Sequence, residues 1–342
     1  MTGSTAGVLN LILREPPHLP FLQGWPGIPA SDTRPPATVQ GTLEVRSSNS
    51  QPIKTKWLRI EIRKYEGPPN GSSKALQTNW GNVGRTHVLW QAPDGKDWEP
   101  LNTTDFRFVI PLPLDTPPTC DLGKNGGIRY ELLASACYKG KGGFFRKDAS
   151  VTISASQPIR IVKYDLASAW PIYNQPEERS STSPDGGLMF VVTCSRQAYG
   201  PGDRVVVSCA LKSQMPQAFR VKSIELALTE VTTIMPQPSD GKTTLKKKSK
   251  NAALPTTKRS QVTSARTIVG EFVGPGTETR GMVDLLVPTD DALLTIRAKS
   301  FHIEYELRVE AVLESSHGSI AVSGIPCVIG TFSKSSAQQA VK

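Results

Sequence analysis

A chain of 342 residues with 28 glycines and 28 prolines is long enough for two ordinary domains and too rich in turn formers for a helical bundle. Lys and Arg number 40 against 30 Asp and Glu, and the net charge of +10 favours acidic partners (phosphorylated peptides, anionic lipid or nucleic acid) without choosing among them. Five cysteines, an odd number with no Cys-x-x-Cys, argue against a disulfide framework and for a reduced intracellular protein.

The N-terminal "GVLNLIL" is too short an apolar run for a signal peptide, and Asn10 interrupts it. No stretch approaches transmembrane length. The first clear alternation is "VQGTLEV" (39–45), followed by "KTKWLRIEIRKYEG" (54–67), "FRFVIPLP" (106–113), "IRYELLASA" (128–136) and "QPIRIV" (157–162). Apolar residues two apart predict half-buried strands. With Leu58, Ile60 and Ile62 facing a core, Lys56 is expected on their side near the strand edge, and Trp57, Arg59, Glu61 and Arg63 on the other.

The same pieces return in the same order. Val205, Cys209 and Leu211 match Val39, Leu43 and Val45; Ile224, Leu226 and Leu228 match Leu58, Ile60 and Ile62. Val283 and Leu285 of "GMVDLLVP" match Phe108 and Ile110, and both runs end at a proline, whose missing N–H stops a ladder. "IEYELRVEA" (303–311) repeats "IRYELLASA", with Tyr305 on Tyr130, and "IPCVIG" (325–330) closes the second half as "QPIRIV" closes the first. The chain therefore reads as an internal duplication of one all-β unit of about seven short strands, an immunoglobulin-like β-sandwich. The first unit is expected over residues 7–166 and the second over 188–333. The Pro-, Ser- and Gly-rich segment 167–187 reads as a hinge or linker, and 334–342 as a polar tail.

This order of pieces resembles the arrestin family: two tandem β-sandwiches of related topology joined by a hinge. Gly41 falls at the family's strand-opening glycine, and Tyr199, Gly202 and Asp203 of "QAYGPGDR" fit its Tyr-x-x-Gly-Asp/Glu pattern. "HLPFLQGWPGIPASD" (18–32) and the insertion at 236–265 depart from it. Asp290 and Asp291 fall near the family's acidic loop, but no matching arginines are identifiable, so the wider alpha-arrestin-like group of trafficking adaptors fits better than the receptor-quenching one.

Enzyme signatures are missing from the sequence. His18, His87, His302 and His317 lack metal-ligand spacing, and there is no nucleophile elbow, phosphate loop or dinucleotide fingerprint. Catalytic residues, cofactors and metals are accordingly assigned as none. Binding features are more prominent. In "YKGKGGFFRK" (138–147), a hairpin tip by position, Lys139, Lys141, Arg146 and Lys147 surround Phe144 and Phe145, a combination that suits an anionic membrane surface or an acidic partner; an ordinary hairpin with inward phenylalanines is the alternative. Lys246, Lys247, Lys248, Lys250, Lys258 and Arg259 make residues 242–260 read as a disordered basic loop, for anionic lipid, nuclear import, ubiquitin attachment or solubility alone. Ser183, before Pro184 in the expected hinge, is a candidate phosphosite. The resemblance implies that basic residues of the first sandwich receive phosphates from a partner. Arg59 and Arg63 are candidates by type, guanidinium gripping phosphate as a fork; a mixed charged sheet face is the alternative.

The resemblance also implies a non-enzymatic adaptor or scaffold linking membrane-protein cargo to trafficking or ubiquitination machinery. Such a protein is cytoplasmic and sits peripherally at the plasma membrane, endosomes or Golgi. Relatives recruit a HECT-type ubiquitin ligase through Pro-Pro-x-Tyr, and none of the Pro-Pro pairs here is followed by x-Tyr. That leaves a constitutive subunit of a retromer-like or tethering complex as the alternative. An immunoglobulin-like nucleic-acid-binding protein is supported by charge alone.

Overall fold

Alternating side chains decide which way each strand faces, and in this chain they build two all-β units, Met1–Lys163 and Tyr164–Lys342. The computed structural model describes residues 9–48, 51–67, 80–140, 149–236, 254–289, 294–314 and 318–341.

In the first unit the strands are β1 (Leu9–Arg14), β2 (Leu22–Gln23), β3 (Thr38–Ser47), β4 (Ile53–Gly67), β5 (Trp80–Gln91), β6 (Glu99–Leu101), β7 (Thr104–Pro111), β8 (Cys120–Asp121), β9 (Gly127–Gly140) and β10 (Ala149–Ile159). One sheet pairs β3 with β1, β2 and β7. The other runs β10-β9-β4-β5, with β6 on β4 and β8 on β9. Leu43, Leu58, Ile60, Ile62, Ile110 and Leu132 are almost fully buried in this unit. Each contributes roughly 1.5–3 kcal/mol relative to an exposed side chain.

The second unit holds β11 (Glu177–Thr182), β12 (Leu188–Cys194), β13 (Ala198–Tyr199), β14 (Arg204–Ser213), β15 (Phe219–Ile234), β16 (Thr256–Ile268), β17 (Phe272–Val273), β18 (Glu278–Leu286), β19 (Ile296–Arg297), β20 (Phe301–Leu313), β21 (Ser319–Ile329) and a short helix, α1 (Lys334–Val341). Its sheets run β11-β12-β14-β18 and β13-β21-β20-β15-β16, with β17 on β15 and β19 on β20.

The duplication expected from sequence is present in the topology and in the register. The path β1-β3-β7 recurs as β12-β14-β18, and β10-β9-β4-β5 recurs as β21-β20-β15-β16. Leu58 lies opposite Ala136 and Ile62 opposite Leu132; their counterparts Ile224 and Leu228 lie opposite Ala311 and Leu307. Pro158 faces Glu131 as Pro326 faces Glu306. Tyr130 and Tyr305 occupy equivalent buried places. Their hydroxyls differ in partner, Tyr130 donating to the Pro117 carbonyl at 2.6 Å and Tyr305 to Glu230 at 3.3 Å.

Four expectations are corrected. A β-bulge between Thr55 and Trp57 resets the alternation, so Thr55 is buried and Lys56 points outward to Asp97 at 3.4 Å. Residues 256–265, expected inside an insertion, belong to β16, a long partner of β15. Part of the expected linker is β11, held on β12 from Glu177–Cys194 to Thr182–Met189. The expected polar tail is largely helix α1. Ser333 Oγ accepts the Ser336 N–H, and Ala337 is fully buried.

Candidate functional site

The outer face of the β10-β9-β4-β5 sheet carries Trp57, Arg59, Glu61 and Arg63, as the alternation predicts for these four. The Arg59 guanidinium carbon lies over the Trp57 ring, 4.5 Å from its centre, and its buried Nε donates to no acceptor. Arg63 is already engaged, 3.8 Å from Glu131 and 5.5 Å from the centre of the Trp80 ring. Glu61 accepts hydrogen bonds from Thr86 at 2.7 Å and Asn82 at 3.2 Å. Burial raises the Glu131 pKa and Arg63 opposes that shift. The sheet thus brings the two predicted arginines onto one face, Arg63 beside Glu131 and Arg59 without an ion pair among the described residues.

β9 and β10 pair from Gly140–Ala149 onward, so the stretch between them joins two antiparallel neighbours. Lys139 is at the end of β9. Lys141, Phe144, Phe145, Arg146 and Lys147 lie outside the described residues, as do Lys246, Lys247, Lys248, Lys250, Asp290 and Asp291. Lys258 and Arg259 were expected in a disordered loop. They stand on β16, where hydrogen bonding to β15 orders a sequence with no apolar alternation, and Arg259 pairs with Glu306 at 3.3 Å.

Ser183 is placed in the β11–β12 turn of the second unit. Its Oγ accepts the Leu188 N–H at 2.9 Å and donates to the Asp185 carboxylate. A pocket of about 460 Å³ opens beside it, lined among others by Pro184, Leu188, Met215 and Ile320. A phosphoryl group on Ser183 would face Asp185 and displace the turn's own hydrogen bonds, an effect local to this hairpin.

One cluster was only half legible. Tyr199, Gly202 and Asp203 were marked by their motif, whereas Arg196 was not. Its guanidinium stacks on Tyr199 at 4.5 Å and pairs with Asp203 at 3.2 Å, both side chains nearly buried. Asp203 also accepts the Gly200 N–H at 2.9 Å and the Lys334 N–H at 3.1 Å, tying the start of α1 to this corner. The signal was present as an arginine three residues before the motif tyrosine, but nothing in strand periodicity aims it there.

Behind this corner, burial pushes the Cys194 thiol up to about 11 and the Cys209 thiol up to about 12, from 9.0. Cys327 moves the same way. Both folded and unfolded thiols hold their protons below pH 9.0, so the burial term is fully present there. As pH rises further the unfolded chain releases protons that the folded chain keeps, and stability is lost. The urea midpoint of the second unit is expected to fall above pH 9.0, and less steeply in a Cys194→Ala/Cys209→Ala variant. Under native conditions half-exposed Cys120 should alkylate first, with Cys194, Cys209 and Cys327 reacting only on unfolding.

No group of His, Cys, Asp and Glu among the described residues is arranged to hold a metal ion, and no helix among them is long and apolar enough to cross a membrane. Residues 184–333 match the family model for the arrestin (or S-antigen) C-terminal domain. A search of curated proteins gave no match.

Proposed function

We propose that this arrestin-like chain, whose residues 184–333 match the arrestin C-terminal domain, is a non-enzymatic adaptor or scaffold linking membrane-protein cargo to trafficking or ubiquitination machinery. The observation that carries this reading is the family match over 184–333, reinforced by the same strand order in the first unit. Arrestin-family proteins are generally non-enzymatic. In this reading the protein works on the cytoplasmic side of the plasma membrane, endosomes or Golgi, and a HECT-type ubiquitin ligase is one candidate partner. Arg59 is the better of the two arginines for a partner's phosphate, because among the described residues it forms no ion pair, whereas Arg63 stands 3.8 Å from Glu131.

Affinity purification of the tagged protein from its own cells, with quantitative mass spectrometry, tests the proposal. Substoichiometric transporters or receptors together with a ubiquitin ligase are the expected result. A fixed set of trafficking subunits at equal abundance would instead identify a constitutive complex subunit and overturn the adaptor.

A further inference from the structure

β16 ends its sheet: among the described residues it pairs with β15 alone, so one full side of its backbone N–H and C=O groups has no strand beside it. Residues 256–261 are exposed at every position, so neither face of this half of the strand is packed away. Edge strands are blunted by a short span, a proline, a bulge or charge, and β16 has a bulge at Val262 and three cations, which repel another basic strand but not an acidic one. Here no proline occurs from Thr256 to Ile268.

The charge of the edge selects what it accepts. From Leu254 to Gly270 the chain carries Lys258, Arg259 and Arg266 and no acidic residue. Arg259 and Arg266 reach back to Glu306 and Glu225 of their own sheet, at 3.3 and 3.5 Å, in exposed pairs of small net worth that an incoming carboxylate can replace. Two copies of β16 set edge to edge would bring cations towards cations, which disfavours self-pairing. We propose that the free edge of β16 binds an extended acidic peptide by strand addition. Backbone hydrogen bonds supply the affinity, carboxylates on alternate residues engage Arg259 and Arg266 on the face that carries Glu306 and Glu225, and Lys258 adds positive charge from the opposite face. The proposal is independent of the adaptor reading, since it rests only on the edge and its charge.

The test uses the full chain and an alternating glutamate–valine peptide of about ten residues, near the upper range of strand length. Amide hydrogen exchange along β16 is followed with and without it. Expected are slowed exchange at alternate β16 amides, weakening with salt, and no effect from an alternating lysine–valine peptide. A Lys258→Glu/Arg259→Glu/Arg266→Glu variant should lose about tenfold or more in affinity. Ser260→Pro and Gln261→Pro remove adjacent N–H groups that point to opposite sides; the one that spares exchange in β15 should abolish peptide binding. Unchanged β16 exchange overturns the proposal. So does equal protection by a glutamate peptide interrupted with proline, which would reduce the effect to charge alone, or protection by phosphatidylserine vesicles but not by the peptide.

Discussion

Asp203→Ala is expected to destabilise the second unit by about 3–5 kcal/mol, the cost of stranding one partner of a buried ion pair. The carboxylate has three obligations at once: the Arg196 guanidinium, the Gly200 N–H and the Lys334 N–H. Truncation leaves Arg196 charged against the Tyr199 ring, and one of its terminal nitrogens is already buried without an acceptor. It also leaves two backbone donors unpaired, each a further penalty. Arg196→Leu should cost less, because Asp203 keeps both backbone donors. The double variant should recover part of the Asp203→Ala loss, since no buried charge then remains. Because the chain has two units, the measurement is site-resolved hydrogen exchange in urea, read at β14 and α1. If Asp203→Ala costs no more than Arg196→Leu, the pair is not the element that holds this corner.

The contrast between Asp203 and Arg196 shows where sequence reasoning stopped. Alternation made the inward residues of β3, β4, β9, β14, β15 and β20 legible, and the doubled Tyr-Glu-Leu core set even their relative register. It gave no purchase on strands that bury nothing. β16 begins with six exposed residues, "TTKRSQ", and β11, "EERSST", is an edge held by pairing with β12. Both exist because a neighbour's ladder fixes them, and a ladder leaves no hydrophobic period behind. Helix α1 is similar: "KSSAQQAV" is polar, and a fully buried Ala337 and the distant Asp203 locate it. At Lys56 a bulge, invisible in the residue types, moved one cation from the expected core side to solvent. For the candidate site, the types Arg59 and Arg63 could be picked, but the distinction between them could not. It depends on the β4–β9 register, which places Glu131 opposite Arg63 and Ser135 opposite Arg59.

Gly41→Ala is expected to destabilise the first unit by about 1–3 kcal/mol through overpacking. A Cβ there would stand 2.5 Å from the Arg14 carbonyl oxygen and 2.9 Å from ring atoms of both Phe108 and Phe21. The need is for space, since Gly41 has an ordinary strand backbone, without positive φ. The duplication supplies the comparison. Its counterpart in β14 is Val207, fully buried and paired with Val283, whereas Gly41 is paired with Phe108. The two units fill the same place differently: a glycine with a phenylalanine in one, two valines in the other. The departure at 18–32 explains the rest, for it brings Phe21, itself buried, over the glycine. Gly81→Ala is the control, with nothing within 4 Å of the added carbon, and should change stability by no more than about 0.5 kcal/mol. Phe108→Val in the Gly41→Ala background should restore part of the loss by returning volume to the site. It should not restore all of it, because the Arg14 carbonyl is held in the β1–β3 ladder beside Thr42 and cannot withdraw. Urea unfolding of the four proteins, followed in β3 and β7 by hydrogen exchange, measures each step. Equal stability of Gly41→Ala and Gly81→Ala would mean that β1 and the 18–32 segment yield to a methyl group, and that the glycine was not required by packing.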